Sequence, residues 1–146
     1  VGCVAPATKR LPLDTPACVG TQPGNACLTL LFAVSDPVRQ QAGERCSGFV
    51  HWGLYAGGDV GTLGPGNNPP LLGNSSYQVD LAAPGATGSL TLPNVTARSY
   101  QALGFISQQG PGHPSVAGDP VTLPSGTFDV PVNTHIQVTL LFNVVH

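Results

Sequence analysis

The sequence predicts an all-β protein: an antiparallel, Ig-like β-sandwich of seven to eight strands behind an irregular, cysteine-laced N-terminal arm. Three observations carry that expectation. Nineteen glycines and 15 prolines are spread through 146 residues, which leaves few windows for an uninterrupted amphipathic helix. Short apolar or alternating segments recur between turn signals. Charged residues make up 8% of the chain against about 25% in ordinary domains, while 41% is hydrophobic, so the chain is no disordered polyelectrolyte.

The first 26 residues hold four prolines and no apolar period, and read as an irregular arm. From Cys27 the apolar run CLTLLFAV marks a buried strand and opens the sandwich domain, residues 27–146. Pro37 to Arg45 is the single helix candidate, one or two turns without an apolar stripe. Gly48 to Ala56 reads as a central strand, apolar on both faces, with Trp52 expected in the core. Gly57 to Ser76 is rich in Gly, Asn and Pro and reads as a long loop without regular structure. Short strands follow around Tyr77 to Leu81 and Ser89 to Val95, then a longer one from Arg98 to Ile106. Beyond the Gly/Pro loop after Ile106, two short strands flank a turn at Pro124-Ser125-Gly126. In the last strand Ile136, Val138, Leu140, Phe142 and Val144 share one face, and only Leu141 breaks the alternation.

Cys3, Cys18, Cys27 and Cys46 form an even set with no CxxC spacing, which favours two disulfides over a zinc ribbon. Local loops favour the pairs Cys3–Cys18 and Cys27–Cys46, although spacing alone does not choose among the three pairings. Disulfides place the protein outside the reducing cytosol, extracellular or in a cell envelope. The start at Val1 is read as the product of signal removal. Val1-Gly2-Cys3 also resembles the end of a bacterial lipoprotein signal, whose Cys3 would carry the lipid; the even cysteine count speaks against it.

Five Lys and Arg against seven Asp and Glu give no basic field for nucleic acid or an anionic membrane, and no apolar run is long enough to cross a bilayer as a helix. No cofactor is expected. His51, His113, His135 and His146 have no chelating spacing, so a metal site would depend on tertiary approach alone, and none is expected. No G-x-S-x-G elbow or P-loop appears, and the acids are scattered singly, so no catalytic residues are assigned and an enzyme is not expected. His51 is expected as a half-buried strand histidine making a hydrogen bond, and His146 as a frayed terminus. Asn74-Ser75-Ser76 and Asn94-Val95-Thr96 match the glycosylation sequon.

Pro93, Val95, Tyr100 and Phe105, followed by Gly118-Asp119-Pro120, resemble the transthyretin-like (prealbumin-like) β-sandwich modules of bacterial envelope and secreted proteins. That resemblance implies a fold rather than a function. Tyr100 is expected to plug one end of the core while its hydroxyl meets backbone. Where calcium-using relatives carry several Asp and Asn, this chain has Asp119 alone, so calcium is not expected there.

The functional expectation is a non-catalytic secreted or envelope protein, a structural subunit of an extracellular assembly such as a filament, coat or appendage, with the arm Val1 to Ala26 reaching a neighbouring copy. The alternative is a monomeric accessory module that binds a protein or glycan through the loop 57–76, with Asp59, Asn67, Asn68 and Tyr77 as candidate contacts.

Overall fold

The computed structural model describes residues 6–61, 65–123 and 126–146, and for Ser76 the backbone only. Two sheets pack face to face. One runs in the order β1 (Thr8–Leu11), β9 (His135–Phe142), β2 (Asn25–Val34), β5 (Thr87–Thr96). The other runs β10 (Val144–Val145), β7 (Pro120–Val121), β6 (Arg98–Ser107), β3 (Ser47–Ala56), β4 (Leu72–Asp80), with β8 (Phe128–Val130) also on β6. Among the described strands all pairings are antiparallel except β2 with β9, which run parallel from Cys27↔His135 to Val34↔Phe142. The expected all-β sandwich is therefore the fold. A parallel pair joins segments far apart in sequence, and strand patterning does not reveal it.

The core follows from side-chain alternation. Leu28, Leu30 and Phe32 of β2 point inward with Ile136, Val138, Leu140 and Phe142 of β9, and they meet Val50, Trp52 and Leu54 of β3 and Ala102 and Ile106 of β6. Trp52 is 7% exposed, in the core as expected, and Leu141, the residue that breaks the apolar alternation, is turned out at 43%. The β3 and β6 backbones lie close together, and a Cβ on Gly48 would sit 2.5 Å from the Ser107 carbonyl oxygen. Only glycine fits there.

The helix candidate forms as α1 (Asp36–Ala42), with Pro37 in its first turn and Val38 buried, and a 3-10 turn over Gly43–Cys46 follows. One boundary differs clearly from expectation: β4 begins at Leu72, inside the stretch read as loop. Leu72, Gly73 and Asn74 pair with Leu54, Gly53 and Trp52, so β3 imposes a strand that local propensity does not favour. The turn at 124–126 falls largely outside the described residues.

The arm is mostly irregular but not free. β1 pairs with β9, the Pro12 carbonyl oxygen meets His135 Nδ1 at 2.9 Å, and Cys18 is disulfide-bonded to Cys27. Beyond the 3-10 turn Pro16–Cys18, the Thr21 hydroxyl donates to the Pro93 carbonyl and the Gln22 amide to Asn94 Oδ1. The arm thus crosses β9, β2 and β5 on the sheet face away from the core. The described part of the arm, from Pro6 to Ala26, packs on its own sandwich through these contacts.

The disulfide pairing is corrected as well. Cys18–Cys27 is the bond, and Cys46 is a free thiol in the core, where burial pushes its pKa up against a smaller opposing pull from Arg39. Two facing positions on the arm and β2 outweigh the preference for a Cys27–Cys46 loop, because β2 carries Cys27 outward while Cys46 turns inward. Cys3 lies outside the described residues. With Cys46 a thiol, the even cysteine count no longer implies two bridges.

Candidate functional site

Each sheet has two edges, and they are not alike. β1 is four residues long and carries exposed Lys9 and Arg10, features that discourage pairing. β10 is two residues long. β5 is longer, but the arm covers its C-terminal half at Pro93 and Asn94, and Tyr77 donates its hydroxyl to the Ser89 carbonyl at 2.5 Å. β4 spans nine residues, pairs with β3 on one side, and among the described residues pairs with no strand on the other. It contains no proline or lysine, and its one charge, Asp80, stands at its last position. The Ser47 hydroxyl and the Ala82 amide hydrogen-bond to that carboxylate and hold its pKa below the usual range.

Where β4 begins, a groove of about 290 Å³ opens between the two sheets, lined by Leu71, Leu72, Asn94, Val95, Thr96, Arg98 and Tyr100. Leu71 and Leu72 are 46% and 39% exposed. The Arg98 guanidinium lies 5.9 Å from the centre of the Tyr100 ring. Tyr100 forms the floor: its ring is buried beside Phe128, and its hydroxyl donates to the Thr96 carbonyl at 2.5 Å. Its hydroxyl meets backbone, as the sequence led us to expect, in the manner of the corner tyrosines of other sandwiches. The groove itself escaped sequence reasoning; the one signal was the apolar pair Leu71-Leu72 closing an otherwise polar stretch.

The loop contacts predicted from sequence divide. Asp59, Asn67 and Asn68 lie together on the loop, where the Asn68 side-chain amide donates to the Asp59 carbonyl at 3.0 Å and Asn67 is exposed. Gln101 clamps the loop base: its Oε1 accepts from the Gly58 and Val60 amides and its Nε2 donates to the Val60 carbonyl at 2.8 Å. Tyr77 does not join them. It sits in β4, with its ring centroid 5.5 Å from that of Phe32 and its hydroxyl on the Ser89 carbonyl of β5, so it packs between the sheets.

The histidines are placed apart. His51, expected half-buried, is buried and stacks on Phe105, with no partner for Nε2. His135 is buried beneath the arm. His146 is not frayed: its amide donates to the Asp119 carbonyl, its carbonyl accepts from Gly118, and Nδ1 lies 2.6 Å from the Ser115 hydroxyl. The Asp119 carboxylate is buried and fully engaged, with Oδ1 accepting from Arg45 at 2.6 Å and Oδ2 from the Val116 amide at 2.9 Å. Of the two sequons, Asn94 uses its Oδ1 to accept from Gln22 and Asn25.

No protein-family model matches the chain, and no curated protein or solved structure shows significant similarity to it. The class defined by fold and site is an all-β sandwich with a disulfide-fastened arm and, among the described residues, an edge strand β4 that pairs with β3 alone.

Proposed function

We propose that this protein is a non-catalytic structural subunit of an extracytoplasmic assembly, related to transthyretin-like envelope modules, and that copies join along the edge of β4 that faces away from β3. Among the described residues β4 pairs with no strand on that side while the other edges are short, charged or covered, and this contrast carries the reading. The pairing that uses the whole strand is antiparallel and two-fold, Leu72 opposite Asp80 of a second copy. It keeps the two Asp80 carboxylates at opposite ends, so no like charges meet, and it brings each Asp80 toward the mouth of the other copy's groove, which Arg98 lines. A disulfide accords with an oxidising compartment. The buried polar side chains Gln101, Asp119 and His135 are occupied in holding loops and the arm, which suits a structural role.

Light scattering across a concentration series tests this. The native chain should grow in mass with concentration, and the doubly charged variant Leu72→Lys/Gln78→Lys should stay monomeric with an unchanged far-ultraviolet spectrum. A monomeric native chain at every concentration sinks the proposal.

The second reading, capture of a protein or glycan by the loop after β3, is favoured by the Gln101 clamp, which presents Asp59, Asn67 and Asn68 from a fixed base. Replacing residues 65–68 with Gly/Ser should then abolish binding to envelope fractions while leaving self-association untouched.

A further inference from the structure

Three donors from separate parts of the chain meet beneath the arm. The sulfurs of Cys18 and Cys27 and a ring nitrogen of His135 all lie within 4.8 Å of one another, and all three residues are buried. Cys27 and His135 are direct cross-strand partners on the parallel β2–β9 pair, so two donors stand on rigid backbone. Cys18 ends the 3-10 turn Pro16–Cys18 of the arm, outside either sheet.

The imidazole is already in the form a metal ligand requires. A carbonyl oxygen only accepts, so Nδ1, 2.9 Å from the Pro12 oxygen, carries the proton. In the neutral ring Nε2 then keeps its lone pair, which accepts from the Thr29 hydroxyl 2.7 Å away. Histidines that bind metals characteristically donate their other ring N–H to a carbonyl or carboxylate, which fixes tautomer and orientation. If Nε2 took a metal, the Thr29 hydroxyl would still have Thr91, at 2.9 Å.

We propose that reduction of the Cys18–Cys27 disulfide turns Cys18, Cys27 and His135 into a binding site for a thiolate-preferring divalent ion such as Zn²⁺. The balance is simple. A dithiol or phosphine reductant supplies two electrons, two protons are taken up, the S–S bond breaks and two thiols form. The ion then replaces the two thiol protons, which leave to solvent, and accepts the His135 lone pair, with a water in the remaining tetrahedral position. Sulfurs on one tetrahedral zinc stand roughly 3.7 Å apart, given Zn–S bonds near 2.3 Å, so Cys18 must swing outward with its turn. In the oxidised chain both sulfurs are committed to each other and the site is closed.

The test uses the full chain and Co²⁺ as an optical stand-in for zinc. Anaerobic titration of the phosphine-reduced protein should give thiolate-to-cobalt charge-transfer absorption and the visible bands of tetrahedral cobalt. These should saturate at one ion per chain, release two protons, and vanish on adding Zn²⁺, while the oxidised protein stays silent. Cys18→Ser is the sharp control, because the reduced native chain lacks the same crosslink; it should lose the charge-transfer band. His135→Gln should weaken cobalt binding at least tenfold and shift the visible bands, whereas Cys46→Ser and Cys3→Ser should leave them unchanged. A silent reduced protein, bands that survive in Cys18→Ser, or bands that follow Cys46 or Cys3 would each overturn the assignment. So would a reduced chain that loses its sheet spectrum and does not recover it with the ion.

Discussion

His51 lies flat on Phe105, the ring centroids 4.3 Å apart and the planes 10° from parallel. The contact seals β3 beneath the loop that runs from Ser107 to Asp119, and it leaves His51 Nε2 buried without a partner. Burial lowers the His51 pKa from its usual value near 6.5, and nearby His113 lowers it further; Asp119 and the Gly110 carbonyl pull the other way without reversing the shift.

A stability slope follows. A histidine whose folded pKa lies below its unfolded pKa binds protons more readily when unfolded, so the folded state is fully favoured above about pH 6.5. Stability falls as the pH drops through that value and stops falling once the folded pKa is passed. Thermal unfolding of the native chain from pH 8 to pH 5 should show this decline, and His51→Gln should flatten it. An equal slope in both proteins would locate the pH sensitivity elsewhere.

Tyr100 and Thr96 allow a subtler test of the groove floor. Tyr100→Phe keeps the ring against Phe128 and removes only the hydroxyl that meets the Thr96 carbonyl, so it should cost about 1 kcal/mol. Tyr100→Ala empties the site and should cost about 4 kcal/mol. Urea unfolding of the two variants separates these effects; similar losses would mean the hydroxyl, not the ring, anchors β6.

Arg45 is half-exposed but meets a carboxylate with no solvent access, so the two ends of this ion pair are unequal. Arg45→Ala strands the Asp119 charge and should cost about 2 kcal/mol, less than a fully buried pair because water reaches the arginine. Asp119 also accepts the His146 amide through its backbone carbonyl, so hydrogen exchange at His146 should quicken in the same variant. Unchanged exchange there would uncouple the ion pair from the fastening of β10.

Much of the sandwich was readable from alternation, because a strand with one buried face leaves a period of two in the sequence: Ile136, Val138, Leu140 and Phe142 are the inner face of β9, and Leu141 is turned out. β4 was readable only in part. Leu72, Gly73 and Asn74 have poor strand propensity and are held by Leu54, Gly53 and Trp52, partners about 20 residues earlier in the chain. The place of β4 at the edge of its sheet was beyond reach for the same reason, since an edge is defined by strand order rather than by local sequence. The meeting of Cys18, Cys27 and His135 was equally invisible: the parallel pairing of β2 with β9 brings His135 to Cys27 across more than one hundred residues, and no local spacing records that approach.

Cysteine chemistry supplies the most direct check on the arm. Non-reducing proteolysis should yield one linked peptide joining Cys18 to Cys27, and Cys46 should react with a thiol label only after the chain is unfolded, because its side chain is buried and its pKa is raised. Cys18→Ser should lose about 2.5 kcal/mol, the chain-entropy value for a short loop of this kind. The loss should show first as faster exchange at Thr8 to Leu11, which are joined to the body only through β9 once the clip has gone. Cys46→Ser should destabilise by a different route, a hydroxyl placed among apolar neighbours, and should leave exchange in the arm unchanged. The two variants therefore separate a fastening bond from a packing group, and equal acceleration of arm exchange in both would mean that the arm is held by the general stability of the sandwich rather than by its disulfide.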